Sequence, residues 1–157
     1  MQPKFEIREA AGEGDMGIAA GLFREYQTWL DVDLCFQDFE AELVNVANMY
    51  ARPRGTIYIA SVDGEDIGVG ALRPVSDTRC EMKRVFIRES ARGLGLGKRI
   101  IDLLIAHGKL AGYTSMVLDT LPKLETAQGI YKALGFQEIP PYYKNPLPGV
   151  VYYEKIL

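Results

Sequence analysis

The chain has 157 residues, 48% of them hydrophobic, with 18 basic against 21 acidic side chains. That length suits one domain, residues 1–157, with a sizeable core, and the even charge leaves no global field for holding nucleic acid. No charged-then-apolar leader opens the chain, and no apolar run approaches the roughly 18 residues of a membrane span, so no membrane partner is expected.

The first segment, Lys4 to Glu9, alternates with Phe5 and Ile7 on one face and predicts a short strand. Asp15 to Leu30 is amphipathic, with Ile18, Leu22, Tyr26 and Trp29 on one helical face and Asp15 placed to cap it. Phe39 to Tyr50 repeats the pattern with Leu43, Val46 and Ala47, until Arg52-Pro53-Arg54-Gly55 breaks it. Thr56 to Val62 and Ile67 to Leu72 read as strands joined by the hairpin signal Asp63-Gly64-Glu65-Asp66. Cys80 to Ile87 is a fourth strand. The two cysteines, Cys35 and Cys80, make no disulfide framework and suit a reducing cytoplasm.

Next comes Arg92-Gly93-Leu94-Gly95-Leu96-Gly97-Lys98. Glycines at alternate positions let the backbone approach a ligand without a Cβ in the way. The helix that follows carries Leu96, Ile100, Leu103 and Leu104 at helical spacing and is stopped by Gly112. Its first N–H groups and its dipole, with Arg92 and Lys98 alongside, suggest a phosphate cradle. A plain glycine-rich turn linking strand to helix would use the same residues. Ser115 to Asp119 predicts a strand with its core at Val117 to Asp119, and a helix follows from about Leu124 to Leu134, ended by Gly135-Phe136. Gln137 to Pro140 and Val150 to Ile156 supply two more strands.

The cradle is not a Walker A loop, which would place a glycine at Arg92 and a hydroxyl residue at Arg99. Nor is it the dinucleotide fingerprint, since the last glycine position falls on Lys98 or Ile100. R-x-x-G-x-G, at Arg92, Gly95 and Gly97, resembles the pyrophosphate loop of the GNAT family, the Gcn5-related N-acetyltransferases. Ala127-x-x-x-Tyr131-x-x-x-Gly135-Phe136 resembles the second signature of that family, in the right order after the first. The resemblance covers Thr56 to Phe136 well and the flanks loosely. The element order β-α-α-β-β-β-α-β-α-β-β matches the GNAT layout, an α/β fold with a mixed sheet and helices on both faces.

The resemblance implies an N-acetyltransferase using acetyl-CoA as cosubstrate, its pyrophosphate on Arg92, Gly93, Leu94, Gly95, Leu96, Gly97 and Lys98. It further implies that the pantetheine arm lies along Met82 to Ile87 like an added strand, against Val85, Phe86 and Ile87. A backbone N–H near Val85 would then face the thioester carbonyl as oxyanion donor. Tyr131 matches the family tyrosine that often protonates the departing thiolate, and an ordinary phenol, with a pKa near 10, can do so. A core tyrosine on an apolar helix face is the other reading. Glu81 lies eleven residues before Arg92, the spacing at which histone-modifying GNATs place their catalytic glutamate. It is a candidate base, or else an ion-pair partner of Lys83 or Arg84, or a solvated carboxylate. Leu124 stands where many GNATs carry an asparagine that helps hold the pantetheine, so that contact is absent or replaced.

His107 reads as a packing or helix-end residue, Cys35 and Cys80 as thiols of core or surface, and Asp119 as lining the cleft or capping the next turn. No His, Cys and carboxylate cluster has metal-ligand spacing, and no metal is expected. In the family the acceptor enters opposite CoA, between the first helices and the last hairpin. Tyr26, Trp29, Asp31, Asp33 and Phe36 meet it there from one side, and Tyr142, Tyr143, Lys144 and Asn145 from the other. Pro140-Pro141 and Pro146-Leu147-Pro148-Gly149 stiffen this rim, which suits a small, amino-acid-like amine acetylated by direct attack in a ternary complex. The alternatives are a protein lysine or N-terminal acetyltransferase, or a CoA-binding sensor without turnover. Family habit allows a homodimer through the C-terminal strands.

Overall fold

The computed structural model describes residues 3–32 and 38–157. Its strands are β1 (Phe5–Glu9), β2 (Thr56–Val62), β3 (Glu65–Pro74), β4 (Arg79–Ile87), β5 (Ser115–Thr120), β6 (Gln137–Ile139) and β7 (Val151–Ile156). The helices are α1 (Gly12–Leu30), α2 (Phe39–Val44), α3 (Val46–Met49), α4 (Leu96–Leu110) and α5 (Glu125–Ala133), with a short 3-10 turn at Glu89–Ala91. One seven-stranded sheet runs in the order β1-β2-β3-β4-β5-β7-β6, antiparallel except for the parallel pair β4 and β5. The predicted element order is therefore observed. One refinement is that the helix expected over Phe39 to Tyr50 breaks at Asn45 into α2 and α3.

Each face of the sheet has its own core. Met82, Leu96, Ile100, Ile101, Leu104, Met116, Leu118 and Tyr131 pack on the α4 and α5 side. Leu22, Phe23, Phe39, Val46, Ile57, Ile59, Val69 and Phe86 pack on the side of α1 to α3. Local chemistry sets the element ends. α1 begins three residues ahead of the expected Asp15, at Gly12, because the Asp15 carboxylate reaches back to accept the Ala11 N–H at 3.0 Å. The hairpin turn between β2 and β3 shortens to Asp63-Gly64, with φ of 51° and 84°, the geometry that matches strand twist. Among the described residues no helix is long and apolar enough to cross a membrane.

Where α4 crosses β3, the layers approach so closely that only glycine fits. A Cβ added at Gly70 would lie 2.4 Å from Ile100 Cγ2 and 3.2 Å from Leu104 Cδ1. Gly70→Ala is therefore expected to cost about 1–3 kcal/mol by overpacking. Thermal melts check this, and an unchanged melting temperature would show that the helix can shift to make room.

Candidate active site

β4 and β5 pair only at Arg79–Ser115, Cys80–Met116 and Glu81–Val117, after which the two strands separate. The cause lies in β4. Lys83 pairs with Ala71 and Phe86 with Val69, so Arg84 and Val85 together oppose the single residue Gly70. Such a bulge bends its strand and sharpens the twist. Arg84 occupies the left-handed region at φ 59°, unusual for a side chain of that size. It is held there by Glu42 of α2, whose carboxylate accepts from Arg84 Nη2 at 2.8 Å and Nε at 3.0 Å, and from the Tyr50 hydroxyl at 2.9 Å. Glu42 and Arg84 are only 2% and 6% exposed. Burial works against ionising Glu42, but the guanidinium outweighs it and holds the carboxyl below its ordinary range.

Beyond Glu81, no strand among the described residues pairs with β4 on the β5 side. The predicted Val85, Phe86 and Ile87 all lie along this open edge. Val85 and Ile87 pack toward α4, and Phe86 packs toward α1. Past the 3-10 turn, the loop reaches α4 through Gly93 at φ 86° and Gly95 at φ 76°, conformations that suit glycine. An added Cβ at either position would meet nothing within 4 Å, so the loop is open on its outer side. Leu96 is 1% exposed and anchors the helix start in the core, leaving backbone N–H groups to face a ligand. Leu94 is exposed. Lys98 lies along the helix in an ion pair with Asp102 at 2.8 Å. The Arg92 guanidinium donates to Ile87 O at 3.1 Å and sits 4.4 Å above the Trp29 ring. This link from α1 to the glycine loop has no signature in spacing.

The other end of the opening is lined by carboxylates and phenols. Glu81, 2% exposed, accepts from Arg73 Nε at 2.8 Å and from the Tyr142 hydroxyl at 2.5 Å. Arg73 stands opposite Glu81 in the β3–β4 register, a pairing that counting through the hairpin would have found. Asp119 accepts from the Tyr143 hydroxyl and from Asn145 Nδ2 and so tethers the loop between β6 and β7. Burial, with Glu81 adding to it, holds the Asp119 carboxyl above its ordinary range. Burial beside Arg84 lowers the Lys83 ammonium to about 8.

Tyr131 rises from α5 on the opposite face, packed against Phe136 and Tyr153 with centroids 5.7 and 6.2 Å away. Burial raises its pKa, and Tyr26 and Asp119 are near enough to push it further in the same direction. Tyr26 belongs to α1, on the far side of the sheet. The two phenols come within electrostatic reach of each other where β4 and β5 separate. Among the described residues nothing hydrogen-bonds the Tyr131 hydroxyl.

Other residues named from the sequence lie elsewhere. His107 Nε2 contacts Pro53 O at 3.0 Å, away from the cleft. Cys80, on β4, is buried with its thiol donating to Ser115 O at 3.5 Å and pushed up to about 12 by burial. Leu124 stands at the start of α5 with no side-chain cap. Asp31 ends α1, and Cys35, Asp33 and Phe36 fall outside the described residues.

Comparisons with known proteins bear on this arrangement. The model of the acetyltransferase (GNAT) family matches residues 20–136. An N-acetyltransferase of Schizosaccharomyces pombe is 41% identical over 133 residues, which cover 83% of this chain and 82% of the relative. An acetyltransferase from Streptococcus agalactiae has the same fold, with a TM-score of 0.80 at 23% identity over 98% of each chain. YncA of Salmonella typhimurium, whose structure holds its cofactor acetyl-CoA, has a TM-score of 0.73 at 15% identity, covering 97% of this chain and 93% of that one.

Proposed function

The chain belongs to the acetyltransferase (GNAT) family and is an acetyl-CoA-dependent N-acetyltransferase, and on that premise we propose that it acetylates the primary amine of a small, amino-acid-like metabolite by direct attack in a ternary complex. One observation carries this reading. The opening between β4 and β5 brings a phenol from one face and two carboxylates from the other to the end of an open strand edge.

In this reading the backbone N–H groups from Gly93 to Lys98 hold the pyrophosphate, with Arg92 beside them. The open β4 edge at Val85, Phe86 and Ile87 takes the pantetheine as an added strand. An N–H near Val85 faces the thioester carbonyl and stabilises the oxyanion that forms there. The acceptor amine, once neutral, attacks the carbonyl carbon. The C–N bond forms, the C–S bond breaks, Tyr131 passes its proton to the departing thiolate, and the proton shed by the acetylated nitrogen restores the phenol. Burial, with Tyr26 and Asp119 adding to it, keeps the phenol protonated at rest and makes it a weaker acid than an ordinary phenol, so its proton moves only as charge develops on the sulfur. Glu81 is the base that removes the amine proton.

The rim supports a small acceptor. Tyr142, Tyr143 and Tyr152 pack with centroids 5.3 to 5.7 Å apart, and their loop is tied to both cleft carboxylates. An extended polypeptide would need that end open. We also propose that residues 1–157 act as one domain in the cytoplasm.

The test is to mix the purified protein with acetyl-CoA and follow free CoA thiol across a panel of amino acids, polyamines, aminoglycosides and a lysine peptide. Turnover confined to amino acids or their close relatives supports the reading. Faster turnover of the lysine peptide would replace it with a protein acceptor. Saturable acetyl-CoA binding without any turnover would favour the sensor.

A further inference from the structure

If Glu81 is the base, an acceptor must be able to reach it. Its carboxylate is 2% exposed, with one oxygen occupied by Arg73 at 2.8 Å and the other by the Tyr142 hydroxyl at 2.5 Å. A base needs to be within hydrogen-bond reach of the proton it takes, directly or through one intermediary. Tyr142 is that intermediary by position. It is half-buried, on the loop between β6 and β7, and its hydroxyl covers the Glu81 oxygen that Arg73 leaves free.

We propose that Tyr142 meets the acceptor's ammonium and relays its proton to Glu81, an inference that rests on the amine-acetylation reading above. A phenol donates one hydrogen bond while its oxygen accepts another, which a relay requires and a carboxylate alone cannot do. In the step, the ammonium N–H transfers its proton to Tyr142 Oη as the phenol O–H transfers its own to Glu81 Oε2. The products are a neutral amine, an intact phenol and a protonated Glu81, so proton count and charge balance. The two transfers are concerted. Burial and the charges of Glu81 and Asp119 hold the Tyr142 phenol far above its ordinary range, so a phenolate does not accumulate.

The surroundings keep the phenol aimed. Its ring lies 5.3 Å from Tyr143 and 5.4 Å from Tyr152. Tyr143 is itself fixed by Asp119 and by Asn145 Nδ2 at 2.9 Å, and Asn145 Oδ1 accepts the Leu147 N–H at 2.9 Å. The charged and titratable groups around the pair are Arg73 from β3, Lys83 from β4, Asp119 from β5, and Tyr143 and Tyr152 from the hairpin.

The test compares wild type, Tyr142→Phe, Glu81→Gln and the double variant on the panel amine that wild type turns over fastest, from pH 6 to 10. Acetyl-CoA binding is followed by calorimetry, and folding by thermal melts. The relay predicts that each single variant lowers kcat about 100-fold, within the range for positioned proton transfer. Acetyl-CoA affinity is unchanged, and the double variant is no slower than the slower single one. The deficit shrinks as pH approaches the pKa of the acceptor ammonium, because the amine then arrives neutral. That rescue distinguishes a relay from a strut, since a damaged loop would stay slow at every pH. A Tyr142→Phe enzyme with wild-type kcat and pH profile overturns the relay while leaving the acetylation reading intact. So does a loss that is constant with pH and additive with Glu81→Gln. A wild-type protein that turns over no amine sinks the acetylation reading, and the relay with it.

Discussion

Tyr131→Phe is expected to lower kcat about 100-fold while the KM for acetyl-CoA holds, the pattern of a group that acts on the transition state and not on binding. The hydroxyl is the only atom removed. The ring that packs between Phe136 and Tyr153 is kept, so folding is preserved. Among the described residues no hydrogen bond is lost with the hydroxyl, which separates this variant from a structural lesion. Steady-state kinetics with the panel amine decide the matter, and an unchanged kcat would remove Tyr131 from the mechanism. A poorer loss with a thioester of lower leaving-group pKa would strengthen the assignment, because such a thiolate needs less help in departing.

Glu42→Leu is expected to destabilise the fold by about 3–5 kcal/mol, because it strands the Arg84 guanidinium in a buried site with no compensating carboxylate. The double variant Glu42→Leu with Arg84→Met removes both charges and is expected to recover most of that loss, as buried pairs replaced by apolar groups often do. Acid gives an independent reading. The folded-state pKa of Glu42 is depressed, so its stabilisation is fully present above the unfolded value near 4.3 and is lost as pH falls through the lower folded value. Chemical denaturation at pH 7 and pH 3 should then show the gap between wild type and the double variant narrowing in acid. A single variant as stable as wild type at pH 7 would mean that water or another group takes over the guanidinium. Because the pair also holds Arg84 in the left-handed region, the same variant should lose activity along with stability.

Features encoded over short spans were legible in the sequence. The glycine loop and the two helices flanking β5 depend on residues within a few turns of one another and were read from spacing, while Tyr131 was picked out by the resemblance of its segment to the second GNAT signature. The parts that escaped depend on partners distant in the chain. Nothing near Arg84 marks a bulge, because the residue that secures it is Glu42, forty-two positions earlier. The bond between Tyr142 and Glu81 spans 61 positions, so the rim tyrosines and the carboxylates were named separately and not as partners. The break at Asn45 was hidden because Leu43 and Val46 fit one helical stripe even though the backbone between them turns. Asp15 was read as the residue that caps the helix, but the N-cap is Ala11, and Asp15 sits inside the first turn and accepts the Ala11 N–H.

The contact between Trp29 and Arg92 has a practical consequence. Trp29 is the single tryptophan of the chain and is 42% exposed, with the guanidinium 4.4 Å from its ring. A diphosphate arriving at the glycine loop would draw that cation off the indole face and change the polarity around it. Intrinsic emission, excited at the red edge of the protein band, would therefore report occupancy of the donor site without a label, a coupled enzyme or any knowledge of the acceptor.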